Sequence, residues 1–384
     1  MSGNNIIYEI HTTTAKSRTF EEQVLELLEK NSSDTPVIRL TFFGSPTCND
    51  EYIKHLNIIK KKTKSIFGNN LPSISYVAQK PLIGNLILES SKLSNLAWKI
   101  NYKSDGDIHY TELENKAYKT LIVNTLQKDI QNKIKNQSQD AFTRLEGMLR
   151  NEDYEMNSIV RQWNYIERIT DFEGEYQHYQ SFNDVRSHFY SKVDWNSGYP
   201  AATGIGTQYG GIMIDAIIIK SQNSDFKCTP LNNDLQIAAY DYSQNVLLGA
   251  KDEILQEKTT PKFERAKAIT DGEHGLIYIS GTAAIRGEDS MTNVSIEEQT
   301  KITMENIYYI ISKQNLNKAG IDINDHCSLD MLRVYLKNAE DVQIVKSYLD
   351  SLIPSTPVSY LLADVCREEL LIEIEGIASF KVSD

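Results

Sequence analysis

The stretch Leu276-Ile277-Tyr278-Ile279-Ser280-Gly281-Thr282-Ala283 decides how the fold is read. Four apolar or aromatic residues running into Ser-Gly describe a short strand that ends in a glycine turn. After a polar loop, Ser295 to Lys313 repeats apolar residues at helical spacing. A strand-like run, Met331 to Leu336, follows, then a helical stretch, Asp341 to Leu352, and the strand-like Val358 to Ala363 and Leu370 to Ile377. The order is β-α-β-α-β-β.

A similar order with extra strands at its start lies upstream. Leu96 to Tyr102, Ile108 to Leu113 and Lys119 to Leu126 read as strands, and Gln139 to Leu149 as a helix. Ser158 to Ile166 reads as a strand, Phe182 to Tyr190 as a helix, and Ala201 to Gly206 with Ile212 to Lys220 as a closing pair of strands. A third, shortened copy begins the chain, with strands at Val37 to Phe43, Ile74 to Ala78 and Leu86 to Glu89 and a helix at Asp50 to Lys64. Repetition on this scale predicts an α+β chain of tandem units, each packing its helices on one face of a mixed sheet. The expected organisation is a partial unit at 1–95, a central unit at 96–222, a linker or lid at 223–264 and a C-terminal unit at 265–384. The lid assignment rests on the Asn, Asp, Ser and Lys content of the Lys220 to Lys262 stretch.

Composition narrows the functional class. The 384 residues are 40% hydrophobic and 24% charged, as in globular proteins, and hold no apolar run long enough to cross a bilayer. Met1 to Tyr8 lacks the pattern of a secretory signal, so the cytoplasm is the expected compartment. Four cysteines without a C-x-x-C pair are expected to be free thiols. A net charge of −12 argues against non-specific nucleic-acid binding, which rests on Lys and Arg contacts to phosphate. The run Lys60 to Lys64 closes a helical segment, where cations suit the helix dipole.

The segment from Lys267 to Ala378 resembles the RidA family. The strand ending in Ser280-Gly281-Thr282, the helix with Gln299-Thr300 and Asn306-Ile307, and the final Ile372-Glu373-Ile374-Glu375-Gly376-Ile377-Ala378 carry the resemblance. RidA enamine deaminases have an arginine upstream of that last strand, and Val358 stands there, which counts against deaminase chemistry. With the upstream part included, the chain is similar to the chorismatases, which join degenerate RidA-like (chorismate-mutase-like) units in one polypeptide. The matching stretches include Leu40 to Gly44, Arg161 to Ile166, Phe182 to Arg186, Tyr199 to Gly206, Pro261 to Ala266, Ser280 to Ala283 and Ala363 to Arg367. The resemblance implies an enzyme that removes the enolpyruvyl group of chorismate as pyruvate without a cofactor. As RidA proteins are commonly trimers, a chain of repeated units can mimic that assembly alone, and a monomer or weak dimer is expected.

Chorismate is a dianion, so two separated cations are wanted, and the planar fork of arginine suits carboxylates. The chorismatase-like stretches contain Arg186 and Arg265. Tyr179, seven residues before Arg186, offers a phenolic donor, as does Tyr242 or its strand neighbour Tyr240. Protonating the enolpyruvyl methylene carbon needs a carboxylic acid, and burial raises a carboxyl pKa. Glu373 and Glu375 fall on one face of their strand, so the pattern leaves both open; the resemblance selects Glu373. A glutamate on an amphipathic strand is more often solvent-facing, and an arginine more often forms a surface salt bridge. Within the family, a cysteine seven residues before the acid, here Cys366, resembles the branch that forms 3-hydroxybenzoate. Ala283, after the Gly281 turn, resembles the branch that hydrolyses chorismate to a dihydroxycyclohexadiene acid.

Other motifs are set aside. Gly204 to Gly210 misses G-x-G-x-x-G by one position and precedes a strand, so it reads as a tight turn between paired strands near the ligand. Seven histidines show no zinc-ligand spacing and imply no metal, and no G-x-S-x-G elbow occurs. The rivals to a chorismatase are an enamine or imine deaminase and a non-catalytic module that binds a small carboxylate.

Overall fold

The structure, a computed structural model, describes residues 6–13, 18–31, 33–94, 98–125, 129–252 and 256–383. Among these, the elements form three successive runs of one order. The first is β1 (Ile6–Thr13), α1 (Phe20–Asn31), β2 (Val37–Phe43), α2 (Asn49–Phe67), β3 (Ser73–Val77), the short β4 (Lys80–Pro81) and β5 (Leu86–Leu93). The second opens with β6 (Lys99–Asp105) and β7 (Ile108–Glu114), then runs β8 (Tyr118–Thr125), α3 (Ile134–Asn151) and β9 (Ile159–Glu167). A small hairpin, β10 (Phe172–Glu173) and β11 (Tyr176–Gln177), leads into α4 (His178–Tyr190), β12 (Ala201–Thr207) and β13 (Ile212–Ser221).

The third run opens with β14 (Lys227–Leu231) and β15 (Ala266–Thr270), then β16 (His274–Ala283) and the short pair β17 (Ile285–Arg286) and β18 (Asp289–Ser290). It continues with α5 (Ile296–Ile310), α6 (Lys313–Lys318), β19 (Ser328–Leu336), α7 (Val342–Leu352), β20 (Val358–Leu362) and β21 (Ile372–Lys381). Ser295 fixes the start of α5 by accepting from the Glu298 N–H, with Glu297 and Glu298 in the first turn. Ser312 does the same for Asn315 and restarts the chain as α6, so the single helix expected over Ser295 to Lys313 is broken.

The three runs build three large mixed sheets, in the orders β1-β5-β2-β3, β12-β9-β13-β8-β7-β6 and β14-β15-β16-β21-β19-β20-β4, with β4 of the first run at the edge of the third sheet. In all three, a strand and the strand after its helix pair in parallel, and the last strand returns antiparallel on the other flank. Helices cover the outer face of each sheet with separate apolar cores, while a further core, containing Phe43, Trp163, Tyr165, Tyr278, Tyr335 and Leu361, joins the three inner faces. Strands buried on both faces read as continuous apolar runs rather than alternating ones. The class is α+β, with mixed sheets and helices on one face. No helix among the described residues is long and apolar enough to cross a membrane. All four cysteines are free.

Several sequence expectations are corrected. The first run has the same βαβαββ order as the others, not a shortened one. β1 is a half-buried edge strand mixing Glu9 and His11 with isoleucines, so its pattern is weak. Residues 223–264 include β14, which extends the third sheet, and a 3-10 turn at Ala239–Asp241, so Tyr240 and Tyr242 are not strand neighbours. β12 and β13 do not pair with each other, because β9 lies between them. Leu96, Ala97, Leu126 and residues 253–255 lie outside the described residues.

The inner faces meet through charge. Pairing register aligns Glu89, Asp215 and Glu375, which stand opposite Thr41, Trp163 and Arg333. Arg39 of the first sheet donates to Asp215 of the second at 2.8 Å, and Arg161 of the second donates to Glu375 of the third at 2.6 Å. Arg333 of the third closes the ring, donating to Glu89 of the first at 2.5 Å while also donating to Glu375 at 2.6 Å. Ser75 and Thr203 occupy matching positions and donate to Asp215 and Glu375.

Removing one partner of such a buried pair strands the other's charge and costs about 3–5 kcal/mol. Arg333→Met is expected to lower the urea midpoint accordingly. Lys220→Ala, which breaks a pair with exposed Asp153, is expected to cost under about 1 kcal/mol.

Candidate active site

Between the second and third units lies a cavity whose wall contains seven of the eight residues singled out in the sequence. Tyr179, Tyr242, Arg265, Gly281, Ala283, Cys366 and Glu373 all line it. Tyr179 comes from the first turn of α4, Arg265 stands immediately before β15, and Cys366 lies in the loop between β20 and β21.

The backbone at Gly281 makes room for the acid. Ile279 pairs with Gly376 and Thr282 with Ile374, so Ser280 and Gly281 together oppose Glu375 in a β-bulge. Bulges re-aim side chains, and this one seats a glycine against Glu373. A Cβ on Gly281 would stand 1.9 Å from Glu373 Oε1. The Gly281 N–H donates to Thr203 Oγ1 at 3.0 Å, and Ser280 Oγ accepts from the Ala202 N–H at 2.9 Å, stapling β16 to the second unit.

Glu373 and Glu375 share one face of β21, yet their surroundings are opposite. Glu375, 3% exposed, accepts from Arg161, Arg333, Thr203, Trp163 Nε1 and Tyr335. Burial pushes its pKa up, but the Arg161 and Arg333 charges and these hydrogen bonds outweigh that and hold it below the usual range. Glu373, 6% exposed, has no hydrogen-bond partner among the described residues. Burial first, then the Glu375 charge, push its pKa up to about 8 against the pull of Arg161. Near neutral pH, one carboxylate is charged and its neighbour is a protonated acid facing the cavity.

The arginines divide the same way. Arg39, Arg161 and Arg333 spend their charge on carboxylates, whereas neither Arg186 nor Arg265 lies within 4.0 Å of one among the described residues. Arg265, 4% exposed, donates to the Ile237 carbonyl at 2.5 Å and Tyr242 Oη at 2.7 Å, leaving its Nε unpartnered. Arg186, 2% exposed, donates to Asn183 Oδ1 at 2.6 Å, and its Nε is also unpartnered. A buried guanidinium without a counter-charge is costly unless an anionic ligand completes it.

Arg186 is the exception among the expected wall residues. Tyr179, Asn183 and Arg186 share one helix face through i, i+4, i+7 spacing, but Asn183 lines the cavity and Arg186 sits behind it. Tyr242, not Tyr240, faces the cavity; Tyr240 packs its ring at a tilt against Tyr199, centroids 5.5 Å apart, and reaches toward Glu264. Burial, then the Glu373 charge, push the Cys366 thiol up to about 12, so it is a neutral wall group beside Ala283, Ile285 and Leu370. The glycine-rich stretch contributes Gly204, whose missing Cβ lets the Tyr179 ring approach to 2.9 Å of that position. The sequence reading gave no role to Asn183, Gln180, Phe263 or Arg367, all on the wall. Arg367 donates to the Glu288 carbonyl at 2.8 Å and lies 5.1 Å from the Tyr242 ring centroid. Its place beside Cys366 is the one signal that could have found it.

Comparison with known proteins now adds to this geometry. Residues 96–217 match the family described as chorismatase FkbO/Hyg5-like, N-terminal. The chain is 30% identical over 235 residues to a 3-hydroxybenzoate synthase from Streptomyces hygroscopicus, covering 59% of this chain and 65% of that protein. It is 27% identical over 228 residues to a chorismatase from Streptomyces rapamycinicus, covering 58% and 64%. The aligned part therefore spans slightly under two thirds of these relatives. A crystal structure of a chorismatase superposes with a TM-score of 0.70 over 97% of this chain and 98% of that one, at 20% identity, which establishes a shared fold over the whole length. The chain is thus similar to chorismatases, with residues 96–217 matching the N-terminal part of the FkbO/Hyg5-like family.

Proposed function

We propose that this protein is a cytoplasmic enzyme that removes the enolpyruvyl group of chorismate as pyruvate and forms 3-hydroxybenzoate. The observation that carries the reading is a buried carboxyl, Glu373, without a hydrogen-bond partner among the described residues, on the wall of a cavity served by buried guanidiniums that have no carboxylate partner among those residues. Glu373 delivers its proton to the methylene carbon of the enolpyruvyl ether, leaving positive charge on the ether carbon. Arg265 holds one substrate carboxylate, with Tyr242 fixing the guanidinium; Arg186, carried forward by Asn183, serves the other. Tyr179 adds a phenolic donor, and Gly281 leaves the space that the acid occupies.

Two outcomes follow protonation. Elimination within the substrate divides the atoms of chorismate between a hydroxybenzoate and pyruvate with no water consumed, whereas hydrolysis consumes one water and yields a dihydroxycyclohexadiene acid. Cys366 and Ala283 sit together in an apolar cluster with Ile285, Val365 and Leu370, and that cluster supports the water-free route. The Cys366 thiol, neutral at physiological pH, shapes that wall and is not a nucleophile. Three units within one chain supply the inter-unit cleft, so a monomer or weak dimer suffices.

Incubation with chorismate, read by liquid chromatography with mass detection, is expected to give pyruvate and 3-hydroxybenzoate in equal amounts. A dihydroxylated diene acid would overturn the product assignment, and intact chorismate the whole reading. Glu373→Gln is expected to lower kcat by about 10²–10⁴-fold, the usual worth of a general acid. Gly281→Ala is expected to displace the carboxyl and cost at least tenfold in kcat while folding normally.

The acid form of Glu373 is lost as pH rises through about 8, so kcat is expected to hold below that pH and fall above it. The same shift has a stability sign. The unfolded carboxyl releases its proton above 4.5 while the folded one keeps it to about 8, so wild type should lose stability relative to Glu373→Gln as pH rises between those values. Urea midpoints of both proteins at pH 5 and pH 8 check this.

A further inference from the structure

A second cavity, of about 80 Å³, lies where the three sheets meet, away from Glu373. One water needs about 10–15 Å³, so this space holds more than a solvent molecule. Residues of all three sheets form its wall. Register explains why it is there. Arg39 and Arg161 occupy equivalent places opposite Ser91 and Ile217, and the third equivalent place, opposite Ile377, is Met331. Met331 lines the cavity, so the guanidinium that the repeat would supply is replaced by an apolar, adaptable side chain.

The remaining charges are committed. Arg39 is paired with Asp215 and lies 4.0 Å from the Trp163 ring centroid, and Glu89 is paired with Arg333. Glu89 and Asp271 on the same wall disfavour an anion. Flat apolar surfaces come from Trp98, Trp163, Tyr118 and Tyr278. One hydroxyl on the same wall is unspent: Tyr278, 2% exposed, makes no hydrogen bond among the described residues. Buried hydroxyls are ordinarily hydrogen-bonded, so it points to an occupant.

We propose that the central cavity is a binding site for an uncharged, flat aromatic molecule bearing one hydroxyl group, held between the aromatic walls and hydrogen-bonded by Tyr278. The site is separate from the cavity of Glu373 and takes a different ligand class, since that cavity is built for anions.

Phenol is the probe, with toluene and benzoate as comparisons. Titration followed by calorimetry and by tryptophan fluorescence is expected to show one saturable site for phenol, with a fluorescence change from Trp98 and Trp163 that survives Trp195→Phe. Toluene should bind more weakly and benzoate should leave this signal unchanged. Tyr278→Phe, which removes a single oxygen atom, should weaken phenol at least fivefold and leave toluene unaffected. No saturable phenol binding to wild type would overturn the proposal. So would phenol binding that Tyr278→Phe retains in full, because the ligand would then lie elsewhere.

Discussion

The fold depends on a ring of buried arginine–carboxylate contacts in which each unit reaches into the next: Arg39 to Asp215, Arg161 to Glu375, Arg333 to Glu89. Each charge taken from water costs several kcal/mol after relaxation, and the pairing recovers that only with good geometry and further hydrogen bonds. The ring meets this condition best at Glu375, which gathers two guanidiniums, an indole, a hydroxyl and a phenol. Apolar burial could join three sheets at many rotations. Directional ion pairs between specific strands admit far fewer, so the ring sets the relation among the units and with it the shape of the clefts between them.

The ring also explains why one cleft differs from the others. Two residues before each ring carboxylate, the register places Ile87, Met213 and Glu373, opposite Phe43, Tyr165 and Tyr335. Of these equivalent positions only one is ionisable. Its neighbour is the most heavily hydrogen-bonded carboxylate of the ring, held ionised by two arginines, and that fixed negative charge opposes ionisation of Glu373. A structural ion pair thereby tunes the proposed acid without touching it.

Much of this was legible in the sequence, for physical reasons that differ by element. The strands Val37 to Phe43 and Ile212 to Lys220 are buried on both faces, so their apolar runs stand out, and Asp341 to Leu352 shows clear helical spacing. β1 was not legible, because an exposed edge imposes no strict alternation. Tyr242 and Arg265 lie in a segment of turns whose shape is set by contacts with Glu288, Lys258 and Ile237, which no local pattern encodes. The choice between Glu373 and Glu375 needed the resemblance, because period-two alternation treats them alike and only tertiary partners tell them apart. Arg186 was found by the same route, but its placement behind Asn183 depends on how α4 packs.

Spent and unspent charge is the distinction that separates scaffold from site. Arg39, Arg161, Arg333, Arg186 and Arg265 are all nearly inaccessible, so burial alone would call every one structural. The first three have carboxylates within 2.8 Å, and their field ends there. The other two rest on an amide, a phenol and a carbonyl, neutral acceptors that orient a guanidinium and leave its charge to act on the cavity. Folding keeps such groups only if other interactions cover their desolvation cost, which is why they are few and lie on one cleft. The same test separates the two glutamates of β21: Glu375 has its charge and its counter-charges, whereas Glu373 has its proton and no hydrogen-bond partner among the described residues, and a proton held without a partner is one that can be given away.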